Sequence, residues 1–362
     1  MQSVLSLPFN TLIFGIDSKA AVFESGDSMY TVIWSTNLPA TGYVTYTYGG
    51  QEYTAKDERN GAVRSTDTIH SVRVPKEHLD GNSYTYHSQQ IGTKQAYMAI
   101  KGKSVSSSPV EFRGYSGQDT VRALVASDIH ENIDGAVEAA GFFDESPDIV
   151  IINGDAVSTM TSKIKIKQII QYANTLSAGS IPVIYTCGNH EKRGEYASDL
   201  VDMFRTTTSG LYFTCDYGPV HFICLDSAED KNDSSDEYSG LVDYTAYISR
   251  ETDWMKTLSP DDDAEYIVAV SHIPNVNNKR YGFDWRGILE GLGTDLVVSG
   301  HNHKLDLEYN SGADYYQMLD GGKEDDTSGY IATMLTFCGG EIRAECYDRN
   351  GEMRGKKTYT LQ

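Results

Sequence analysis

Five short stretches of this 362-residue chain carry side chains able to do chemistry, and each follows an apolar run. The run 122–127 leads into Asp128-Ile129-His130, 149–152 into Asn153-Gly154-Asp155, and 181–187 into Gly188-Asn189-His190-Glu191. The runs 266–271 and 296–299 lead into His272 and into Gly300-His301-Asn302-His303. Five of the nine histidines stand at these places. Imidazole nitrogens mixed with a few carboxylate and amide oxygens suit borderline transition metals such as Mn, Fe, Zn or Co, whereas Ca and Mg prefer all-oxygen sets. Seven such ligands are too many for one tetrahedral ion. They fit two metals about 3.5–4 Å apart that share a bridging carboxylate and clamp the attacking and leaving oxygens of a phosphoryl transfer. Gly154, Gly188 and Gly300 permit the tight turns and close backbone approach so small a site requires.

The elements that must position these residues follow from periodicity. Between the apolar runs lie helical stretches: Ile166, Ile169, Ile170 and Ala173 fall at helical spacing over 163–176, and Trp254 and Leu258 are four apart in 247–258. That is α/β order, and continuous runs such as Ile149-Val150-Ile151-Ile152 are what a sheet covered on both faces needs. Ligands bind outside the carboxyl ends of strands in such sheets, so the five stretches converge on one rim. The first third reads differently. Tyr30-Thr31-Val32-Ile33-Trp34, 43–48 and 70–74 are β-branched and aromatic, separated by Gly, Asn, Asp and Pro clusters, the pattern of an all-β sandwich. Leu79-Asp80-Gly81-Asn82-Ser83-Tyr84-Thr85-Tyr86 resembles the turn and tyrosine corner of a fibronectin type III-like domain. His70, His78 and His87 lack metal spacing and read as strand or surface residues.

Charge divides the chain at the same place. The total is -21, from 51 acidic and 30 basic residues, yet ten acids balance ten bases up to Gln118, so the whole deficit lies in 119–362. An acidic chain argues against a nucleic-acid groove or an anionic lipid partner. No apolar run approaches the roughly 18 residues of a membrane span. The stretch 1–15 has no Lys or Arg and is interrupted by Pro8 and Asn10, a poor signal peptide, which gives a cytoplasmic location by default and export if a leader precedes it. Five cysteines without a C-x-x-C pair read as reduced, mostly buried thiols. For Cys187, beside the Gly188 motif, packing is the expected role.

The ordered set Asp128-x-His130, Gly154-Asp155, Gly188-Asn189-His190-Glu191, His272 and Gly300-His301-x-His303 resembles the full signature of the calcineurin-like metallophosphoesterase superfamily. The resemblance implies that Asp128, His130 and His303 hold one metal, that Asn189, His272 and His301 hold the other, and that Asp155 bridges them. It makes His190 a non-ligand that contacts the phosphate, with Asn189, and protonates the leaving group. Glu191 is then an acceptor orienting His190. A fibronectin-like domain before such a catalytic domain resembles purple acid phosphatases, with two departures. His130 stands where that family has Gly, and Ser158 where it has a tyrosine ligand, which implies a colourless site of ordinary metallophosphoesterase type.

The expected architecture is a fibronectin type III-like sandwich over 1–118 followed by a four-layer α/β metallophosphoesterase sandwich over 119–362. The expected function is hydrolysis of small phosphomonoesters or phosphodiesters by in-line attack of a metal-activated water, with two Mn, Fe or Zn ions and His190 as proton donor. The alternatives are an adhesion or interaction protein with a degenerate phosphatase-like domain, and a phosphoprotein phosphatase. The segment 275–286 is a candidate pocket wall, with Asn278, Trp285 and the phosphate-binding cations Lys279 and Arg280. His221 reads as a strand residue without a ligand role, and the acidic stretch 226–237 as a solvated loop. The oligomeric state is left open.

Overall fold

The computed structural model describes residues 13–94, 98–274, 282–309, 312–324 and 329–361. In the first third the principal strands are β1 (Ile16–Glu24), β2 (Met29–Tyr48), β3 (Gln51–Lys56), β4 (Asp67–Pro75), β5 (Ser83–Lys94) and β6 (Met98–Ser106). The two runs 30–34 and 43–48, expected as separate strands, are halves of β2. Its first half pairs with β1 and β4, its second with β3 and β5, and a register irregularity between Ser35 and Ala40 carries it from one sheet to the other. Val22, Val32, Trp34, Val44, Val72, Tyr84 and Phe112 fill the space between. His70 is fully buried here against Trp34, with Nε2 2.9 Å from the Thr36 hydroxyl.

From Val121 onward the order is strand, helix, strand. β7 (Val121–Ala126), α1 (Ile133–Ala140), β8 (Ile149–Asn153), α2 (Lys163–Ser177) and β9 (Pro182–Thr186) make one parallel set, extended on its far side by the antiparallel β15 (Tyr330–Cys338), β16 (Glu341–Asp348) and β17 (Met353–Thr360). A second sheet runs β10 (Phe213–Tyr217), β11 (Val220–Leu225), β12 (Tyr266–Ser271), β13 (Leu296–Ser299) and β14 (Tyr316–Leu319). Alternation decides the layers. Val121, Ala123 and Val125 of β7 face Phe222, Val268 and Val298 across the gap between sheets, while Leu124 and Ala126 face Ile166, Ile169 and Ala173 of α2's layer. The outer face of the second sheet is closed by α3 (Tyr244–Met255) and α4 (Trp285–Gly291) through Ile248, Met255 and Leu289. Helix, sheet, sheet, helix is the expected metallophosphoesterase-type α/β sandwich, and burial on both faces explains the unbroken apolar strands.

The two regions share one sheet. β1 pairs in parallel with β9, Val22 opposite Pro182 and Phe23 opposite Val183, so the first sheet runs on without a break into the β-rich third. The segment 112–120, where the charge balance changes, is neither strand nor helix. The tyrosine-corner expectation needs correction. Asn82 N does close a turn on Leu79 O at 2.9 Å, but the Tyr84 hydroxyl donates to the carbonyl of Gly179, beyond α2, at 2.8 Å instead of returning to its own strand. Trp285 is also corrected: it is buried against α3, its indole N–H donating to Thr252 Oγ1 at 2.7 Å, and it forms no pocket wall. Lys279, Arg280 and Asn278 lie outside the described residues. No described helix is long and apolar enough to cross a membrane.

Candidate metal centre

Both sheets deliver their carboxyl ends to one place. Asp128, Asp155 and Asn189 follow the parallel strands β7, β8 and β9, and His272 and His301 follow β12 and β13. Backbone bonds fasten the turns together: Asp128 N donates to Gly154 O at 3.0 Å, His130 N to Asp155 O at 2.9 Å, and Gly300 N to His272 O at 2.9 Å. Between the sheets, Asn153 Nδ2 donates to Val298 O at 3.3 Å and His301 N to Asp128 Oδ2 at 2.9 Å. A Cβ on Gly188 would overlap Asp155 Oδ1 and N, so glycine is required there.

The expected ligands assemble in two groups, and a third grouping, His130, Asp155 and His190, brings the expected non-ligand His190 within the same reach. Asp128, His130 and His303 form one, with His130 Nε2 3.2 Å from His303 Nε2 and His303 Nε2 3.4 Å from Asp128 Oδ1. Asp155, His272 and His301 form the other, and Asn189 Oδ1 lies 3.0 Å from His301 Nδ1. Atoms bound to one ion at about 2.0–2.2 Å sit at such spacings from one another.

The donor chemistry also fits a cation. His272 Nε2, fully buried, lies 3.0 Å from Asp155 Oδ2 without the alignment of a hydrogen bond, and its Nδ1 faces Asn153 O at 2.8 Å. Asn189 turns its carbonyl oxygen toward two acceptors, Asp155 Oδ2 at 3.3 Å and His301 Nδ1 at 3.0 Å, a convergence that a cation satisfies; with the amide rotated, that oxygen instead meets Arg193 Nη2 at 2.6 Å. Burial, against the pull of Asp155, brings the His130 imidazole down to about 4, and burial with the neighbouring His272 lowers His301, so both stay in the neutral form a metal requires. Burial disfavours charge on His272 as well, but Asp155 and Asp128 outweigh it and raise it to about 10. Burial likewise opposes ionisation of Asp155, and His272 and His190 overcome it, holding that carboxyl well below the usual range. A proton on His272 thus occupies the place where the carboxylates call for positive charge.

Residues 121–305, just over half of the chain and the span of all five stretches, match the family model for calcineurin-like phosphoesterases. The chain belongs to this family. No curated protein sequence matches it. Among solved structures, a purple acid phosphatase, PPD1, isolated from yellow lupin (Lupinus luteus) seeds is similar at 13% identity with a TM-score of 0.64, covering 94% of this chain and 74% of that one. A structure of PhoD is similar at 12% identity with a TM-score of 0.56, covering 95% of this chain and 90% of that one. At such identities these likenesses concern the fold, and they extend through the β-rich first third.

Several residues of this phosphoesterase behave otherwise than expected. Glu191 does not orient His190. It is fully buried and accepts from the backbone N–H groups of Asp155 at 2.9 Å, Val157 at 3.1 Å and Gly188 at 3.0 Å, tying two ligand turns together. Burial and the Asp155 charge push its carboxyl up to about 7. His190 is oriented by a backbone group instead, Nδ1 donating to Ser158 O at 2.9 Å, while Nε2 faces Arg193 Nη1 at 2.9 Å. The Ser158 hydroxyl, three residues after Asp155, donates to Glu131 Oε2 at 2.6 Å. The acidic stretch is only half a solvated loop: Asp226 and Glu229 are fully buried and pair with Lys192 and Arg193, while Asp236 and Glu237 are exposed. Sequence reasoning missed Arg193 and Glu229, whose only signal was opposite charge at a distance of 36 residues. His221 lies in a strand, as expected, but with Asp216 at 2.6 Å and Asp261 at 3.3 Å it forms a grouping of the kind that can hold a metal, which its reading without a ligand role did not anticipate.

Proposed function

We propose that the chain is a dinuclear-metal phosphohydrolase cleaving phosphomonoesters or phosphodiesters, with a fibronectin type III-like domain over 1–118 and the catalytic domain over 119–362. Asp128, His130 and His303 hold one ion, Asn189, His272 and His301 the other, and Asp155 reaches both. One observation carries the reading: Asp155 Oδ2 lies 3.6 Å from His130 Nε2 on one side and 3.0 Å from His272 Nε2 on the other. The mixed imidazole and oxygen set suits Mn, Fe or Zn. When bound, such ions neutralise phosphoryl charge and lower the pKa of water from ~15.7 toward neutrality. His190, its ring fixed through Nδ1 by the Ser158 carbonyl, presents Nε2 to the site for proton delivery to the departing oxygen, and Asn189 flanks the phosphate. A covalent phosphoenzyme is not part of the reading, because none of the motif positions offers a nucleophilic Ser or Cys and burial pushes the neighbouring Cys187 thiol up, away from thiolate.

Metal analysis combined with hydrolysis of generic aryl phosphate mono- and diesters tests this. Wild type is expected to carry about two transition-metal ions and to hydrolyse at least one ester. Asp155→Ala should lose metal and activity together. His190→Ala should keep its metal and lose about 10²–10⁴-fold in kcat. A metal-free wild type inert toward both esters would sink the enzyme reading and leave the non-catalytic interaction protein.

A further inference from the structure

Resting on that reading, we propose that Arg193 is a substrate-binding residue, the guanidinium that receives the phosphoryl oxygens beside the two metals. Local geometry puts it there. Residues 190–192 form a single 3-10 turn after Asn189, closed by Arg193 N donating to His190 O at 3.2 Å. The closed turn brings Arg193, whose own backbone is extended, back beside His190. Its Nη1 lies 2.9 Å from His190 Nε2, the atom that faces the site.

The rest of the fork is anchored. Nε and Nη2 donate to Glu229 at 3.1 and 3.4 Å. Glu229 is itself fully buried, takes the Tyr238 hydroxyl, and accepts from Asp230 N at 2.9 Å. The guanidinium plane is therefore fixed on a carboxylate with one edge aimed at the candidate centre, and 27% of the side chain is open to solvent. Lys192, the neighbouring cation, is committed to Asp226 in the interior.

On the open edge Nη1 faces His190 Nε2. A phosphoryl oxygen in that place brings a negative charge to the guanidinium, in a geometry that the planar fork matches. Asn189 adds a second argument. When its carbonyl turns inward to a cation, its amide N–H₂ is left against Arg193 Nη2 at 2.6 Å, donor facing donor. Metal loading thus takes an acceptor from Arg193, and a phosphate ester supplies one in a geometry the planar fork matches. The same exchange uncovers His190 Nε2 toward the ester. Glu229 acts as a positioning residue, holding the fork without touching substrate.

The test is binding of inorganic phosphate by calorimetry to metal-reconstituted wild type, R193K and R193Q, with metal content and melting temperature measured on the same samples. R193Q should bind phosphate about tenfold more weakly or worse at unchanged metal content. R193K, a point charge without the fork, should recover part of the loss. Because R193Q leaves the buried Glu229 carboxylate without its cation, the double variant R193Q/E229Q guards against misfolding and should show the same loss. With aryl phosphates, R193Q should raise KM more than it lowers kcat. Phosphate binding by R193Q or the double variant within about twofold of wild type overturns the assignment alone. A wild type that binds neither metal nor phosphate overturns both this and the phosphohydrolase reading.

Discussion

Asp128, His130, Asp155, His301 and His303 all hold left-handed backbone, with φ of 48°, 43°, 51°, 69° and 51°. For residues with a Cβ this conformation costs roughly 1–2 kcal/mol each, and it persists only where neighbours over-determine it. For Asp155 one such neighbour is Glu191, whose carboxylate accepts from the buried N–H groups of Asp155, Val157 and Gly188. Glu191→Ala should destabilise the protein by about 3 kcal/mol or more, because each orphaned buried donor costs about 1–3 kcal/mol. Denaturant unfolding checks this, and Glu191→Gln, which keeps one acceptor oxygen, should recover part of the loss. Gly188→Ala should abolish metal uptake while leaving far-ultraviolet dichroism unchanged, because the three atoms nearest the added Cβ all belong to Asp155. Metal content equal to wild type would show that the turn tolerates a side chain.

At the scale of elements, the bent strand β2 and the shared pairing of β1 with β9 decide the organisation. Phe23, Ile33 and Ile69 leave the first sandwich's own core and pack with Ile170 and Val183 in the layer above the parallel strands. Polar bonds follow the same seam: Asn174 Nδ2 donates to Ala20 O at 2.6 Å, and the Tyr84 hydroxyl to Gly179 O. Tyr84→Phe should cost about 1–3 kcal/mol, since it leaves the buried Gly179 carbonyl without that donor, and should lower the melting temperature of the whole chain in a single transition. Two separated transitions in wild-type calorimetry would count against the continuous sheet.

For the whole molecule, a fragment covering 119–362 should not behave as an independent domain. Removing β1 bares β9 as a sheet edge together with the apolar surface that Phe23 covers, so the fragment should aggregate where the full chain stays dispersed, as light scattering would show. The junction also carries a pH signature. Glu24, fully buried at the end of β1, pairs with Lys76 at 2.6 Å, and burial, partly offset by Lys76, pushes its carboxyl up to about 7. Below pH 4.5 both states hold the proton; between 4.5 and 7 the unfolded chain ionises while the folded one keeps its proton, so this group's contribution falls as pH rises. Relative to Glu24→Gln, wild type should therefore lose stability across that window and level off above it. Parallel stability curves for the two proteins would refute it.

The candidate metal-binding groups were legible in the chain alone because their residues are local: they lie at or just beyond the ends of apolar strands, and strand ends in an α/β order have one rim to go to. The alternation of strand and helix was legible for the same reason, since apolar runs and a period of 3.6 are written in neighbouring residues. Composition also marked a change of charge balance near Gln118. Tertiary structure alone decided the rest, because it joins residues with no local signature. Nothing near Val22 announces Val183, nothing near Tyr84 announces Gly179, and the pairing of Arg193 with Glu229 turns half of an apparently solvated acidic loop into the buried support of the site. Glu191 shows the limit most clearly: its type and place suggested a carboxylate behind His190, and only the packed turns of Asp155 and Gly188 direct it to three backbone donors.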